Sequence, residues 1–243
     1  MPKRNLQIAN GEFYHIVKRG IEERNIFLDQ EDRYRFLNSV LVFNDKAPVP
    51  WMSRAFWHQR DPATLLTTGY IPQLPLVEIH AFALMTNHFH LLVRQIMDNG
   101  IATLMQKLGG YSYYFNKKNN RTGTLFQDRY RTVLIKTEEQ LKNTFNYIHT
   151  NPISLIESEW KKGIIGDVGH ADNFLRKEYA WSSYRDYLGE SNFPTLVHTD
   201  FFMNLYGNKE AIKEDTDSWI KYKINIESEL STSPGLVDEY LIE

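Results

Sequence analysis

An α+β fold is predicted, and three observations predict it. The segments read in the order strand, helix, hairpin, helix, strand, helix; Val77 to Val93 forms two strands around a tight polar turn at Thr86-Asn87; and helix-start signals stand at Asp29 and Thr137. A β-α-β-β-α-β order is the ferredoxin-like split pattern with an antiparallel sheet. One helix is appended to that core, and a helical extension follows it.

Glu12 to Val17 alternates around Phe13, Tyr14, His15 and Ile16, the period of a strand, and Lys18-Arg19-Gly20 follows as a basic turn. Asp29-Gln30-Glu31-Asp32 places a cap and acids in the first turn of a helix. That helix runs to about Phe43, with Tyr34, Phe36, Leu37, Val40 and Leu41 as its apolar side. Residues 45–76 carry Pro48, Pro50, Pro62, Pro72 and Pro75 without periodicity and read as a Pro-rich insertion. Its Trp51, Phe56 and Trp57, beside Arg54, His58 and Arg60, either pin the insertion to the core or stack on bases.

After the hairpin and Asn99-Gly100, a helix spans about Ile101 to Asn116. Its stripe is Leu104, Met105, Leu108, Tyr111, Tyr114 and Phe115, and Gly109-Gly110 inside it marks a kink or a close approach. Arg129 to Ile135 alternates as the fourth strand. Thr137, with Gln140 three residues on, opens the appended helix, which reaches about Thr150 before Pro152. Further on, Tyr179-Ala180-Trp181-Ser182-Ser183-Tyr184 reads as an aromatic docking segment, with helical turns over about 199–206 and 209–225. The expected division is a core domain over 1–155 and a C-terminal extension over 156–243, partly packed on it.

With 243 residues, 42% hydrophobic and 14% aromatic, the chain can bury a sizeable core. It has no cysteine, which excludes disulfides and thiolate metal sites, so a metal would be held by His, carboxylate, amide or water. No apolar run approaches ~18 residues and the N-terminus lacks an apolar leader, so a cytoplasmic protein with no membrane partner is expected. The net charge of −2 conceals an uneven distribution. From Arg94 to Lys136, eight basic residues face only Asp98 and Asp128; from Asp186 onward, twelve acids face four lysines. The middle is therefore a candidate phosphate-binding surface. The alternative is a solvated face beside an acidic extension.

His88 and His90 are two apart on a strand and project to one side, leaving Phe89 and Leu91 for the other. Paired imidazoles on a strand are half of a divalent-metal site, or simply two histidines on a polar face. Tyr147 and Asn151, four apart on the appended helix, share a face. An amide oxygen beside two imidazoles suits Mg²⁺ or Mn²⁺, and a tyrosine there is a plausible nucleophile. The structural alternative makes Tyr147 core and Asn151 the helix C-cap, with Pro152 as the stop.

The segment Met85-Thr86-Asn87-His88-Phe89-His90-Leu91-Leu92-Val93 resembles the metal motif of the HUH single-strand endonucleases. Arg121-Thr122-Gly123-Thr124-Leu125-Phe126-Gln127-Asp128-Arg129-Tyr130, Tyr147-Ile148-His149-Thr150-Asn151-Pro152 and Trp181-Ser182-Ser183-Tyr184 then follow in the order of the REP-associated tyrosine transposases, relatives of the IS200-like transposases. The resemblance covers roughly residues 10–190. It implies that residues 1–155 are an HUH transposase domain that cuts and rejoins single-stranded DNA beside a hairpin (a REP-like structure). It implies His88, His90 and Asn151 as ligands of Mg²⁺ or Mn²⁺, Tyr147 as nucleophile, and a 5′-phosphotyrosine intermediate. Lys117, Lys118, Arg121, Arg129 and Arg131 would hold the DNA backbone, with Arg19 and His15 as weaker candidates; a homodimer is left open. Tyr111, Tyr113 and Tyr114 are rival nucleophiles. The competing reading is a domesticated DNA-hairpin-binding protein with little or no catalysis, for which none of His88, His90, Tyr147 and Asn151 would be needed. The length of the 45–76 insertion and the acidic segment after Gly189 depart from the family pattern.

Overall fold

The computed structural model describes residues 8–47, 66, 71–127 and 129–230. In chain order it contains β1 (Phe13–Arg19), α1 (Gln30–Phe43), β2 (Val77–Leu84), β3 (His88–Gln95), α2 (Gly100–Leu108), α3 (Tyr111–Lys118), β4 (Arg131–Ile135) and α4 (Glu138–Thr150). Then come α5 (Val168–Asn173), α6 (Tyr184–Tyr187), α7 (Asp200–Tyr206) and α8 (Lys209–Leu230). The four strands make one sheet in the order β2-β3-β1-β4, and every pair is antiparallel. This is the arrangement that a β-α-β-β-α-β chain produces when each helix carries it back across the sheet. The α+β, ferredoxin-like expectation holds.

Local chemistry explains where the elements begin and end. Asp29 caps α1 by accepting from the Asp32 N–H at 2.9 Å. Thr137 caps α4 by accepting from the Gln140 N–H at 3.1 Å, and the Gln140 side chain accepts from the Lys136 N–H at 2.9 Å. β1 continues through Lys18 and Arg19, so the basic turn expected there starts only at Gly20. A Cβ on Gly20 would lie 2.1 Å from the Arg24 carbonyl oxygen, which leaves room for glycine alone. The helix expected over 101–116 is two helices. The N–H groups of Gly109 and Gly110 turn to the carbonyls of Gln106 and Lys107, three residues back, and the α-helical ladder breaks there.

The sheet is covered on both faces. On one, α1 and α3 pack with Phe36 against Phe89 at 4.6 Å between ring centroids, and Tyr111 beside Phe36 at 5.3 Å. On the other, α4 lies over β2 and β3. The aromatic segment of the C-terminal extension docks on the edge of β2, as expected. Leu84 N–H donates to Trp181 O at 2.9 Å and Ser183 N–H to Phe82 O at 3.1 Å, so residues 181–183 cover that edge almost as a further strand. His149 on α4 reaches the same segment through Ser183 Oγ at 2.7 Å. The neck of the Pro-rich insertion is closed by an antiparallel bridge between Asp45 and Pro75, and by Gln73 N–H donating to Asp45 Oδ2 at 2.6 Å. The insertion's Trp51, Arg54, Phe56, Trp57, His58 and Arg60 lie outside the described residues.

Lys118, at the end of α3, ties that helix to the start of α1. Its ammonium is 2.8 Å from Asp29, 2.9 Å from Glu31 and 2.9 Å from Asp32, whose side chain is fully buried. Replacing Lys118 with alanine removes the cation from the Asp32 carboxylate, which also accepts from the Leu28 N–H and the Tyr114 hydroxyl. A loss of about 2–4 kcal/mol is expected, since an uncompensated buried charge is costly. Urea denaturation of the Lys118→Ala variant checks this, and an unchanged midpoint refutes the tie.

Candidate active site

The sheet register builds the site. His88 stands opposite Arg19, and His90 opposite Val17, across the β1–β3 pair; Val17 in turn stands opposite Arg131 across β1–β4. Directly paired residues share a face. His88, His90, Arg19 and Arg131 therefore lie on one side of the sheet, the side under α4, and His15 joins them by the period of two. The rings of His88 and His90 are 4.9 Å apart at 78°. They are not surface histidines: their relative exposures are 8% and 1%.

In both rings Nδ1 is engaged. His88 Nδ1 lies 2.6 Å from Asn87 Oδ1, which can only accept, so the proton sits on Nδ1 and Nε2 carries a lone pair. His90 Nδ1 lies 3.0 Å from His15 Nε2, while His90 Nε2 is buried without a hydrogen-bond partner. Burial, then the charges of Arg19 and Lys161, lowers His88 to about 3. Burial first, then His15, His88, Arg19 and Lys161, holds His90 well below its ordinary value; burial lowers His15 to about 4. All three are neutral at pH 7, the form in which imidazole binds a metal.

α4 supplies the remaining groups. Its helical spacing turns Tyr147 toward the histidines, and the phenol ring meets His90 edge-on at 5.5 Å and His15 at 5.9 Å. Asn151 is the C-cap residue, its N–H bonding to Tyr147 O, as the structural alternative has it. Its side-chain Oδ1 is nonetheless buried with no hydrogen-bond partner. Among the described residues no three His, Cys, Asp or Glu side chains gather as a metal cage. The unpartnered amide oxygen of Asn151 is of a type that could serve as a further donor. The donor set fits a divalent cation: two imidazole nitrogens and an orphaned buried amide oxygen, with each imidazole held from behind.

The rival tyrosines lie elsewhere. Tyr111 is on α3, over the opposite face, and donates to Ile26 O at 2.7 Å; Tyr114 donates to Asp32 Oδ1 at 3.2 Å. Burial raises both phenols above their ordinary value. Tyr113 is 74% exposed on the same helix. None is brought to the histidines.

The basic residues divide. Ile21 N–H donates to Leu125 O and Gln127 N–H to Arg19 O, both at 2.9 Å. These bonds run the segment before β4 along the His88 end of β1, so Arg129 and Arg131, both exposed, flank the site with Arg19. Arg121 donates to Asn116 Oδ1 at 2.8 Å, and Lys117 is exposed on α3. Two expectations need correction. Lys118 is engaged by three carboxylates and is an internal tie rather than an open surface cation. His15 is buried against His90, not a surface contact. Lys161, in the short helical turn Trp160–Lys162, adds positive potential at both histidines. No pattern in the sequence signals it, because only the folding of the extension sets it there.

Fold and site together define an α+β protein with a histidine pair on a central strand beneath a helix-borne tyrosine. Residues 73–151, about a third of the chain, match the family described as transposase IS200 like. The matched residues include His88, His90, Tyr147 and Asn151; β1, with His15 and Arg19, precedes them. Among curated proteins none matches the chain. Among solved structures, the chain is similar to a REP-associated tyrosine transposase bound to a REP hairpin, at 12% identity and TM-score 0.47, over 82% of this chain and 93% of that one.

Proposed function

We propose that the chain is a metal-dependent DNA strand transferase of the transposase type, cleaving and rejoining single-stranded DNA beside a hairpin. The observation that carries this reading is the position of Tyr147, edge-on to His90 and His15 on the face that also bears His88. A domesticated hairpin-binding protein would need cationic side chains but no tyrosine over neutral imidazoles.

In the proposed reaction the Tyr147 phenol oxygen bonds to the phosphorus of a backbone phosphodiester. The bond from phosphorus to the 3′-oxygen breaks, the phenol proton is lost, and the 3′-oxygen gains one. The products are a 5′-phosphotyrosine and a free 3′-hydroxyl. Rejoining is the reverse step with a 3′-hydroxyl as attacker, and needs no nucleotide cofactor because the phosphotyrosine retains the bond energy. His88 and His90 through Nε2, and Asn151 through Oδ1, would hold Mg²⁺ or Mn²⁺. Such a cation would neutralise charge gathering on a non-bridging phosphate oxygen. Arg19, Arg129 and Arg131 would fix the backbone, with Lys117 and Arg121 further along it.

Incubation of the full chain with end-labelled single-stranded hairpin DNA and Mn²⁺, followed by a denaturing gel and peptide mapping, tests this. A covalent adduct on Tyr147 that does not form when EDTA replaces Mn²⁺ is expected. DNA binding without an adduct on any tyrosine, across several hairpin sequences, would replace the enzyme with the domesticated binder.

A further inference from the structure

We infer that His15 is a positioning residue, the acceptor that supports the Nδ1–H tautomer of His90 when a cation takes its Nε2. This rests on the reading above that His88 and His90 are ligands. The two ligands are held differently. An amide oxygen can only accept, so Asn87 fixes the proton of His88 on Nδ1. His90 faces another imidazole, and one proton is shared between His90 Nδ1 and His15 Nε2 across 3.0 Å.

That proton has two places. On His15 Nε2 it leaves His90 with its own proton on Nε2, a form that cannot ligate. On His90 Nδ1 it frees the Nε2 lone pair; the pair's other proton leaves His90 Nε2, and neutral His15 carries its own on Nδ1. The surroundings do not choose: His15 Nδ1 and His90 Nε2 are both buried without hydrogen-bond partners. A cation at His90 Nε2 does choose, and His15 then accepts from His90 Nδ1 as a carboxylate or carbonyl would behind other metal-bound histidines. The nearly parallel stacking of the rings, 5.2 Å between centroids and 17° between planes, keeps His15 where it can do so. His15 lies on β1, outside the residues that match the transposase family.

The test is Mn²⁺ binding by the DNA-free full chain, measured by calorimetry on wild type, His15→Phe and His15→Gln. Phenylalanine keeps a ring and removes the acceptor; glutamine keeps an acceptor and removes the ring. Binding roughly 10- to 100-fold weaker is expected for His15→Phe, and binding within a few-fold of wild type for His15→Gln. Wild-type affinity in a folded His15→Phe overturns the inference, as does equal weakening in both variants, which would assign His15 to shape alone. Should His15→Phe fail to fold, ¹⁵N-histidine spectra of the Mg²⁺-loaded wild type decide. A proton on His90 Nδ1 supports the role, and one on Nε2 overturns it. Absence of saturable Mn²⁺ binding to wild type is a separate outcome that removes the cation reading itself.

Discussion

Tyr147→Phe is expected to lower DNA cleavage and adduct formation by on the order of 10⁴-fold or more, the scale seen when a covalent nucleophile is removed. The substitution deletes one oxygen and keeps the ring that packs edge-on against His90 and His15. Stability should therefore change by no more than about 1 kcal/mol, and affinity for hairpin DNA should stay near wild type. Tyr111→Phe is the natural comparison. It removes the bond to Ile26 O inside the other layer and should cost stability while leaving cleavage intact. Single-turnover cleavage, gel-shift binding and thermal melting of the two variants separate the cases. Cleavage by Tyr147→Phe within tenfold of wild type would move the nucleophile elsewhere.

The second large effect is acid sensitivity. His15 is lowered to about 4, His88 to about 3 and His149 to about 3, each chiefly by burial. In the unfolded chain a histidine titrates near 6.5. Above about pH 6.5 these groups are neutral in both states and cost nothing. Below it the unfolded chain takes up protons that the folded chain refuses, so stability falls with pH down to the folded values. Each fully resisting histidine removes about 2 kcal/mol at pH 5; two of them remove about 4, against a typical total of 5–15 kcal/mol. Urea denaturation in EDTA at pH 7.5, 6 and 5 reads this without any cation at the site. A midpoint that stays level from pH 7.5 to 5 would show that water reaches the cluster and that the histidines are not held neutral.

Much of the site is legible from local spacing. Period two puts His88 and His90 on one side and sends Phe89 into the layer under α1; helical spacing puts Tyr147 and Asn151 on one face. Caps are legible for the same reason, since Asp29 and Thr137 bond to N–H groups three residues ahead. The break at Gly109-Gly110 is visible as a signal but not as an outcome, because glycine permits a kink and neighbouring packing decides whether it forms. The basic stretch misleads at Lys118, where net charge along the chain says nothing about the carboxylates that fold against it.

The sequence by itself determined the α+β class, the order of the core elements and the residue types of the site. These depend on hydrophobic period, turn chemistry and capping, which act over a few residues. Only the tertiary structure decided that His15 stands behind His90, that Arg19 stands beside His88, and that Lys118 is withdrawn from the surface by Asp32. The contacts of His15 with His90 and of Lys118 with Asp32 join residues 75 and 86 apart in the chain. Strand register and layer packing bring such residues together, and no local pattern encodes either one.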